Sequence, residues 1–497
     1  MSGPEGPQGE RGATAAGRPA PGPAGRSEER AERVESVLAE LRSLRAADLP
    51  VRGGTTWAYV YDSGSDPAHE VAARAYAEML DVNGLDPTAF PSVVALENEV
   101  VGTAAALLGG GAGIFTSGGT ESCLLAVKAA RDASGGSELV LPVTAHPAFH
   151  KAAAYLGMTA VTTPVDGSFR ADADAVADAI TGRTALVVAS APSYPTGTVD
   201  PVPAIAAAAS ERGVRCHVDA CIGGWVLPHL PDAPPFDLSV PGVTSLSVDL
   251  HKYAYAPKGA SVVLFADRAL RRHAYFAAAG WPGYPVINPT VQSAKSAGPV
   301  AGAWAVLRYV GPDGYRSLAL AAREALLRLA RGVASIDGLS VLGVPDSTLL
   351  AVAGGDVDVF VVADELRAQG FYAQVQLALG PTPRNLHFSA HGVSGSTVDD
   401  LVAALGAAVP AAQAAGPVVV PPAAAAAVAA ADLSTLDEDG FAELLGTSGI
   451  AFTDAAGRPS FAVVNALLES LDPADREAVL RLFVSLLFTP GNVGGAG

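Results

Sequence analysis

The sequence predicts an α/β protein with a mostly parallel sheet in a large domain and a smaller α+β domain towards the C-terminus. From about residue 113, short apolar runs such as "TALVVAS" and "VRCHVDA" alternate with amphipathic stretches of helical length. Strands that alternate with helices in this way are joined by right-handed crossovers, which place helices on both faces of the sheet. After about residue 311 the pattern becomes rich in helices with weak strands, as in "DVFVVADELRAQG". That change predicts the second domain.

The composition is that of a folded protein with a large core. The chain has 497 residues, of which 49% are hydrophobic and 16% charged. Its formal net charge of −18, with no prominent basic run, opposes binding to a phosphate backbone or an anionic membrane surface. We therefore expect neither a nucleic-acid partner nor membrane insertion. Three cysteines and the lack of a signal-peptide pattern lead us to expect a cytoplasmic protein.

Five segments follow one another along the chain. The first, 1–27, is rich in Gly and Pro and is predicted to be disordered. Helical patterns begin with "SEERAERVESVLAELRSL" and extend over 28–112, followed by the large α/β domain at 113–310 and the small α+β domain at 311–412. The last segment, 413–497, is a linker followed by helices. Paired prolines split its apolar stretch, so we do not expect it to span a membrane.

The ends of the strands are the first places to look for function, because ligands gather at the carboxyl ends of parallel strands. After the first strand comes "TSGGTES", in which Gly118, Gly119 and Thr120 lie where a strand turns into a helix. Free backbone amides and the helix dipole make such a turn a phosphate site, although Gly-Gly turns also occur for structural reasons alone. The next strand ends in His146, a residue type that is often structural at such a position.

Two further strands end in groups that are costly to bury alone. Asp219, in "HVDAC", is a carboxylate in an apolar strand and needs a cationic or hydrogen-bonding partner. Lys252 follows His251 at the end of "SVDLHK". Partial desolvation would lower the pKa of this lysine and make it nucleophilic. Each group has a structural interpretation by itself, but four of them at successive strand ends favour a shared function.

Pyridoxal phosphate is a cofactor that needs all four groups. It requires a lysine to form a Schiff base with its aldehyde, a carboxylate to keep its pyridine nitrogen protonated, an aromatic ring to stack on it and an anion site for its phosphate. Lys252, Asp219, His146 and the turn 118–120 supply these groups in that order. We therefore predict a pyridoxal-phosphate site, with these three side chains as its catalytic residues.

The chain resembles the sphingosine-1-phosphate lyases, in the group II decarboxylase-like branch of the fold type I pyridoxal-phosphate enzymes. The resemblance covers about residues 61–310 and is carried by "TSGGTESCLLAVKAARD", "HPAFHKAAAYLGM", "PTGTVDPVPAIA", "CHVDACIGGW" and "SVDLHKYAYAPKGASVVLF". It implies a homodimer with its active sites at the subunit interface. It also implies contacts to the cofactor ring from Ala220, to the phosphate from Gly119, Thr120 and His251, and to the substrate from Lys258.

The reaction that this resemblance implies is a retro-aldol cleavage of the Cα–Cβ bond of an amino alcohol, which yields an aldehyde and a small amine. Which bond breaks depends on the substituent that the pocket holds perpendicular to the cofactor ring. Decarboxylation of an amino acid is therefore an alternative. A homologue that binds the cofactor without catalysing a reaction is a second alternative.

Positions on the substrate side depart from the family. In "NGLDPTAFPS", Asp86 stands where the lyases have a histidine that meets the substrate phosphate, and a carboxylate would repel that group. In "PTVQSAKSAG", Lys295 stands where the lyases have an arginine, which keeps the charge but loses the bidentate geometry. Tyr61, in "WAYVYD", matches the substrate-side tyrosine. We therefore expect a small-molecule amine substrate that has diverged from phosphosphingoid bases.

Three further histidines are ambiguous. We expect His217 near the cofactor, and we expect His387 and His391 to be structural or to face the substrate. None of them has metal-ligand spacing with a cysteine or a carboxylate, so the sequence predicts no metal site.

Overall fold

The computed structural model describes residues 23–86, 88–433, 435–448, 458 and 460–490. Within these residues the chain forms the following α-helices: α1 (Pro23–Leu44), α2 (Asp66–Glu78), α3 (Pro91–Leu107), α4 (Gly119–Ser134), α5 (Ala148–Leu156), α6 (Ala173–Ala179), α7 (Val202–Glu211), α8 (Arg268–Arg272), α9 (Gly298–Ala334), α10 (Val359–Ala368), α11 (Val398–Ala415), α12 (Pro422–Ala430), α13 (Glu438–Thr447), α14 (Ala462–Ser470) and α15 (Pro473–Leu487).

The β-strands of the described residues belong to three sheets. They are β1 (Ala112–Thr116), β2 (Glu138–Pro142), β3 (Thr159–Thr163), β4 (Thr184–Ser190), β5 (Arg215–Asp219), β6 (Val243–Asp249), β7 (Ser261–Phe265), β8 (Phe276–Ala278), β9 (Val286–Asn288), β10 (Leu339–Leu342), β11 (Leu349–Gly354), β12 (Gln374–Gln376) and β13 (Asn385–Ser389).

The large sheet has seven strands in the order β1-β7-β6-β5-β4-β2-β3. Strands β3, β2, β4, β5 and β6 are parallel, and β7 runs against both of its neighbours, β6 and β1. Every residue of β2 and β4 is buried, as expected for strands with helices on both faces. The predicted mostly parallel sheet is confirmed. Its carboxyl edge is where β1, β5 and β6 deliver the predicted site residues.

Helix α4 carries the chain from the site back across the sheet. It begins at Gly119 directly after β1, and its buried face packs on the sheet through residues such as Cys123 and Leu125. The helix ends at Ser134, and Gly135, which follows it, has a φ of 72°, in the left-handed region that favours glycine. The position of the helix start is therefore determined by the strand before it and by the packing of one face.

The small domain begins at a bend in α9. Gly311 has a φ of 65° inside this helix, and Pro312 follows it, so the bend lies at the predicted boundary between 310 and 311. The four-stranded antiparallel sheet has the order β10-β11-β13-β12, and α9, α10 and α11 supply core residues such as Leu326 and Phe360. Helix α11 continues to Ala415, so the predicted end of the domain at 412 falls inside its last turn.

Helix α11 is also the one described helix that is long and apolar enough to cross a membrane, judged by length and composition alone. Its Leu401, Leu405 and Val409 are buried in the core of the small domain. Burial of this kind is typical of a helix that packs inside a protein domain.

The described residues up to 50 form a unit separate from the described residues that follow from 51 onwards. Helix α1 occupies most of its described part and begins at Pro23, so the predicted onset of order at residue 28 is five residues too late. Residues 1–22 of the predicted disordered tail lie outside the described residues. Val34, Leu38 and Leu41 of α1 are exposed.

The C-terminal helices include one that is attached to the small domain. Asp364 of α10 accepts hydrogen bonds from the backbone N–H groups of Phe461 and Ala462, which lie at the start of α14. Glu469, near the end of α14, pairs with Arg384. The predicted helical extension is therefore held to the small domain at both ends of α14.

Candidate active site

A cavity of about 380 Å³ opens at the carboxyl edge of the large sheet. It brings together the predicted turn, the predicted histidine, the predicted aspartate and the predicted lysine, which come from four separate stretches of the chain. The residues that line it are Ser117, Gly118, Gly119, Thr120, Glu121, Cys123, His146, Ser190, Pro192, Tyr194, Asp219, Cys221, Ile222, Asp249, His251 and Lys252.

Lys252 is held by a carboxylate that our sequence reasoning missed. Its Nζ lies 2.9 Å from Oδ2 of Asp249, the last residue of β6. Nε2 of His251 lies 3.6 Å from the same oxygen. The side chain of Asp249 is only 2% exposed, so its charge has to be compensated inside the protein. The signal in the sequence was the three-residue spacing in "DLHK", which places both side chains at one strand end.

This ion pair reverses the expected direction of the shift in the pKa of Lys252. Burial lowers the pKa of Lys252, but Asp249, Tyr61 and Cys221 raise it, and the net result lies well above the usual value. Burial raises the pKa of Asp249, but the charge of Lys252, together with interactions with His251 and Ser261, outweighs burial, so that the net shift is downward. The expectation of a lowered lysine pKa is therefore wrong. Both groups of the pair are charged at neutral pH.

Asp219 ends β5 and is 9% exposed. Its Oδ1 accepts the backbone N–H of Cys221 at 3.1 Å and the hydroxyl of Ser247 at 3.3 Å. The partners that the sequence required are therefore hydrogen-bond donors. Both bonds use the same oxygen, and the carboxylate lines the cavity. Asp219 is thus oriented by the protein and presents a negative charge to a cationic group in the cavity.

The turn between β1 and α4 forms one wall of the cavity. The first N–H groups of α4, which begins after Gly118, lack partners within the helix and lie at the positive end of its dipole. A Cβ on Gly119 would lie 2.8 Å from Oδ1 of Asp249 and 2.8 Å from Sγ of Cys221. Only glycine fits at this position, and the wall offers backbone donors to an anion.

Glu121 holds this turn in place, a role that the sequence did not reveal. Its Oε2 accepts the backbone N–H of Ser117 at 2.7 Å, and its Oε1 accepts that of Val291 at 2.6 Å. The segment that follows β9 is thereby attached to the wall of the cavity. A buried carboxylate that accepts two backbone N–H groups stabilises the loop conformation.

His146 lies in the loop after β2. Its Nδ1 accepts the backbone N–H of Ala148 at 3.2 Å, so the neutral ring carries its proton on Nε2. Burial lowers the pKa of His146, against the opposing effect of Asp219. At neutral pH the ring is therefore uncharged and oriented, which suits stacking on a flat aromatic ligand.

His217 lies behind the cavity and does not line it, contrary to our expectation. It is fully buried, and its ring nitrogens bond to Ser245 at 2.9 Å and to Ser247 at 3.2 Å. Burial lowers its pKa to about 4. Since Ser247 also donates to Asp219, His217 reaches the site only through this serine.

Of the other cofactor residues that the resemblance implied, Ala220 is fully buried and Cys221 lines the cavity in its place. His251 does line the cavity, and its Nδ1 accepts the backbone N–H of Ala260 at 3.3 Å. Burial lowers the pKa of His251 although Asp249 opposes this effect. The neutral ring carries its proton on Nε2, which makes it a hydrogen-bond donor.

A second cavity of about 280 Å³ adjoins the first, and Ser117 lines both. Lys258 and Lys295 line this second cavity, and Nζ of Lys295 lies 3.6 Å from Oε1 of Glu97. Burial raises the pKa of Glu97 more than Lys295 lowers it. Two cationic side chains against one carboxylate leave an excess of positive charge. The second cavity is therefore suited to an anionic group.

Tyr61 lies beside Lys258, whereas Asp86 lines neither cavity. Nζ of Lys258 is 5.0 Å from the centre of the Tyr61 ring. Asp86 is exposed and lines neither cavity; its Oδ1 accepts the backbone N–H and the hydroxyl of Thr88 at 2.8 and 2.6 Å. Asp86 therefore faces neither cavity of this chain, and its place on the substrate side stays a prediction.

Tyr194 is a cavity residue that sequence reasoning missed. Its hydroxyl donates to Oε1 of Gln374 at 2.5 Å, and its ring stacks on His387 with 4.1 Å between ring centres. Both partners belong to the small domain, so no local pattern could reveal the contact. His387 and His391 are fully buried, and His391 bonds to two backbone carbonyl oxygens. Of the two roles left open for these histidines, the structural one agrees with their positions.

The donor set fits pyridoxal phosphate. An amine, a carboxylate, an uncharged imidazole and the amino end of a helix line one cavity, and Gly119 leaves room at the helix end that a Cβ would fill. A flat, anionic, electrophilic cofactor needs this combination.

Comparison with known proteins also indicates pyridoxal phosphate as the cofactor. Residues 106–281 match the family described as Aminotransferase class-V, and residues 422–486 match the one described as Pyridoxal-dependent enzyme, C-terminal putative HTH domain. A sphingosine-1-phosphate lyase from Arabidopsis thaliana is 37% identical over 374 residues, which are 72% of this chain and 68% of the relative. The chain belongs to the sphingosine-1-phosphate lyase family. The predicted family, the fold class and the pyridoxal-phosphate cofactor are thus confirmed.

Solved structures give the same family. The structure of a sphingosine-1-phosphate lyase from Burkholderia pseudomallei is 33% identical with a TM-score of 0.72, and the match covers 82% of this chain and 95% of that one. The chain spans 58–68% of the length of the curated lyases from rice, Arabidopsis and Dictyostelium. A probable L-tyrosine/L-aspartate decarboxylase from Methanopyrus kandleri is 36% identical over 53% of this chain and 73% of its own length.

Proposed function

We propose that this protein is a pyridoxal-phosphate-dependent carbon–carbon lyase that cleaves the Cα–Cβ bond of an amino alcohol bearing an anionic group. The observation that carries the proposal is the second cavity, where Lys258 and Lys295 adjoin the cavity of Lys252. The lyases named among the relatives act on a phosphorylated amino alcohol, and a phosphate has the charge that this second cavity favours.

The residues of the first cavity would hold the cofactor. Lys252 would bind its aldehyde as a Schiff base, Asp219 would face its ring nitrogen and His146 would stack on the ring. The amino end of α4 and His251 would hold its phosphate. When bound, pyridoxal phosphate supplies an acceptor for the electrons of the bond that breaks. These assignments keep the roles that we predicted for the strand-end residues.

The protonation state of each side chain in the site follows from its surroundings. In the cofactor-free protein, Asp249 Oδ2, 2.9 Å from Nζ, keeps Lys252 protonated and fixed at the cavity. The lysine would give up its proton on binding the cofactor aldehyde. Burial raises the pKa of Tyr61, so its phenol keeps its proton and remains a hydrogen-bond donor in the neighbourhood of Lys252. His146 is neutral and therefore does not oppose positive charge on the ring. Asp219 would supply the negative charge that stabilises a protonated ring nitrogen of the bound cofactor.

The second cavity would orient the substrate. A phosphate between Lys258 and Lys295 would place the amine-bearing carbon in the first cavity, since the two cavities meet at Ser117. Binding energy from such a remote group can be used to hold the bond that breaks in the productive orientation. The substrate class is therefore closer to that of the related lyases than our reading of Asp86 predicted.

Product analysis tests this proposal. The purified protein with bound cofactor is given a phosphorylated sphingoid base, the same base without phosphate, and tyrosine or aspartate, and aldehyde and carbon dioxide are assayed separately. We expect aldehyde, with the phosphorylated base preferred. Lys258→Met should raise KM for the phosphorylated base at least tenfold and leave KM for the other base within about twofold. Lys151→Met, which removes a lysine outside both cavities, is the control.

Amino-acid decarboxylation is the second candidate function, and the similarity to the Methanopyrus protein supports it. Carbon dioxide without aldehyde would favour this reaction. Bound cofactor with neither product would favour a homologue without catalysis.

We also propose a homodimer in the cytoplasm. The hairpin of β8 and β9 exposes Phe276, Trp281 and Tyr284, at 54%, 47% and 62% of their surfaces. The segment after this hairpin is bonded to Glu121 in the cavity wall, so a second copy that covers the hairpin would also lie close to the active site. Three cysteines, all free thiols, support a reducing compartment.

A further inference from the structure

Two cysteines and a carboxylate meet at the first cavity although they come from different elements. Cys123 belongs to α4, and Asp219 and Cys221 belong to the end of β5 and the loop after it. The two sulfur atoms and a carboxylate oxygen all lie within 4.8 Å of one another. All three residues are buried and all three line the cavity. No role in the proposed reaction uses the two thiols.

One hydroxyl organises this group. Oγ of Ser247 lies 3.3 Å from Sγ of Cys221, 3.8 Å from Sγ of Cys123 and 3.3 Å from Oδ1 of Asp219. Nε2 of His217 contacts the same hydroxyl at 3.2 Å. The three potential ligand atoms are thus arranged around one point and are held by a shared hydrogen-bond network. Such outer-shell bonds orient the ligands in metal sites.

The spacing matches a tetrahedral cation with little rearrangement. With zinc–sulfur bonds of about 2.3 Å and zinc–oxygen bonds of about 2.0–2.2 Å, the ligand atoms of such a site lie about 3.5–4 Å apart. Because the atoms of the present group lie within 4.8 Å of one another, a contraction of at most about 1.3 Å brings them to that geometry. Three protein ligands leave the fourth position to a water or ligand in the cavity, which also provides the entry path.

We propose that Cys123, Asp219 and Cys221 form a binding site for a thiophilic divalent cation such as Zn²⁺ in the cofactor-free protein. Our sequence reasoning predicted no metal because it considered histidine spacing only. The cation would neutralise Asp219 and occupy the floor of the first cavity. This inference rests in part on the proposed function: if Asp219 faces the ring nitrogen of pyridoxal phosphate, the cation and the cofactor cannot bind at the same time.

Cadmium is a suitable probe because its bonds to thiolates absorb in the ultraviolet. Full-length protein, freed of cofactor and kept reduced with a phosphine, is titrated with Cd²⁺. We expect one Cd²⁺ per chain with an absorbance that corresponds to two thiolates. Cys123→Ser and Cys221→Ser should each weaken binding at least a hundredfold. Cys216→Ser is the matched control, since Cys216 is equally buried but lies outside the group.

A second variant distinguishes loss of the metal ligand from misfolding. Cys123→Val removes the sulfur, keeps an apolar side chain of similar size and should also abolish the cadmium band, with an unchanged circular dichroism spectrum. The proposal is overturned if Cys123→Val and Cys221→Ser bind Cd²⁺ as the unaltered protein does, or if Cys216→Ser loses the same absorbance.

Competition with the cofactor is measured separately. One equivalent of Zn²⁺ should raise the apparent Kd for pyridoxal phosphate at least tenfold, and this effect should vanish in Cys123→Val. If the two cysteines bind the cation but cofactor binding does not change, the exclusion is refuted and with it the proposed contact between Asp219 and the ring nitrogen. The metal site itself depends only on the cadmium result.

Discussion

Replacing Asp249 by asparagine should destabilise the cofactor-free protein in a way that depends on pH. The carboxylate is almost fully buried and lies 2.9 Å from the ammonium of Lys252. In Asp249→Asn the shape is kept but the negative charge is lost. The lysine then either stays charged without its partner or loses its proton, and both outcomes cost free energy.

The size of the effect follows from the geometry. At 2.9 Å and an effective dielectric constant of about 20, the attraction between the two charges is about 6 kcal/mol. Deprotonation sets an upper limit, because keeping a lysine of pKa about 10.4 neutral at pH 7.5 costs about 4 kcal/mol. We therefore expect the free energy of unfolding to fall by about 3–4 kcal/mol at pH 7.5, close to the loss typical of a broken buried pair.

The pH dependence has a definite sign. In the unaltered protein the folded pKa of Lys252 is raised and that of Asp249 is lowered, so the pair contributes its full stability between about pH 5 and pH 10. In Asp249→Asn, a folded state with neutral lysine binds fewer protons than the unfolded state. Its stability therefore rises with pH, and the difference between the two proteins should shrink by about 1.4 kcal/mol per unit from pH 7.5 to pH 9.

Urea unfolding at several pH values measures these differences. The double variant Asp249→Asn/Lys252→Met, which removes both charges, should recover most of the loss. Asp178→Asn is the control for an exposed aspartate and should change stability by less than about 0.5 kcal/mol. A loss below about 1 kcal/mol in Asp249→Asn would refute the assignment of the pair, and a loss that does not change with pH would refute the expected deprotonation of Lys252 in this variant.

Three further predictions concern other parts of the molecule. Gly119→Ala should weaken pyridoxal-phosphate binding at least tenfold, measured by cofactor absorbance, because its Cβ would lie 2.8 Å from Asp249; Gly102→Ala, with nothing within 4 Å, is the control. Burial raises the pKa of Asp200 to about 6, so the buried charge destabilises the folded protein above that pH. When the pH falls from 7 to 4, protonation of Asp200 should therefore stabilise the folded protein by up to about 3 kcal/mol, and Asp200→Asn should lack this gain. Asp364→Asn should weaken the start of α14 by about 1 kcal/mol, seen as faster hydrogen exchange from residue 461 onwards; unchanged exchange would contradict its capping role.

The strand-end residues could be predicted because their positions follow from simple rules. Parallel strands end at one edge of a sheet, so Asp219 and Lys252 could be expected to meet the glycine turn there although they are far apart in the sequence. Asp249 was missed since a polar residue in "SVDLHK" also fits ordinary alternation along a strand. The ion pair between Asp249 and Lys252 exists only in the folded chain, where the lysine side chain lies against the carboxylate.

Contacts between distant parts of the chain could not be predicted from local patterns. Tyr194 stacks on His387 because the small domain covers the large one at this point, and no local pattern encodes such packing. The meeting of Cys123 with Cys221 likewise depends on how α4 lies on the sheet. The family resemblance placed Asp86 on the substrate side; in this chain its carboxylate bonds within its own turn, and the substrate role stays a prediction.

The most direct measurement is to locate the covalent bond to the cofactor. The purified protein is incubated with pyridoxal phosphate, reduced with borohydride and digested, and the modified peptide is fragmented in a mass spectrometer. We predict a single phosphopyridoxyl group on Lys252, lost in Lys252→Ala. A modification on Lys258, or on no lysine of the two cavities, would contradict the proposed active site.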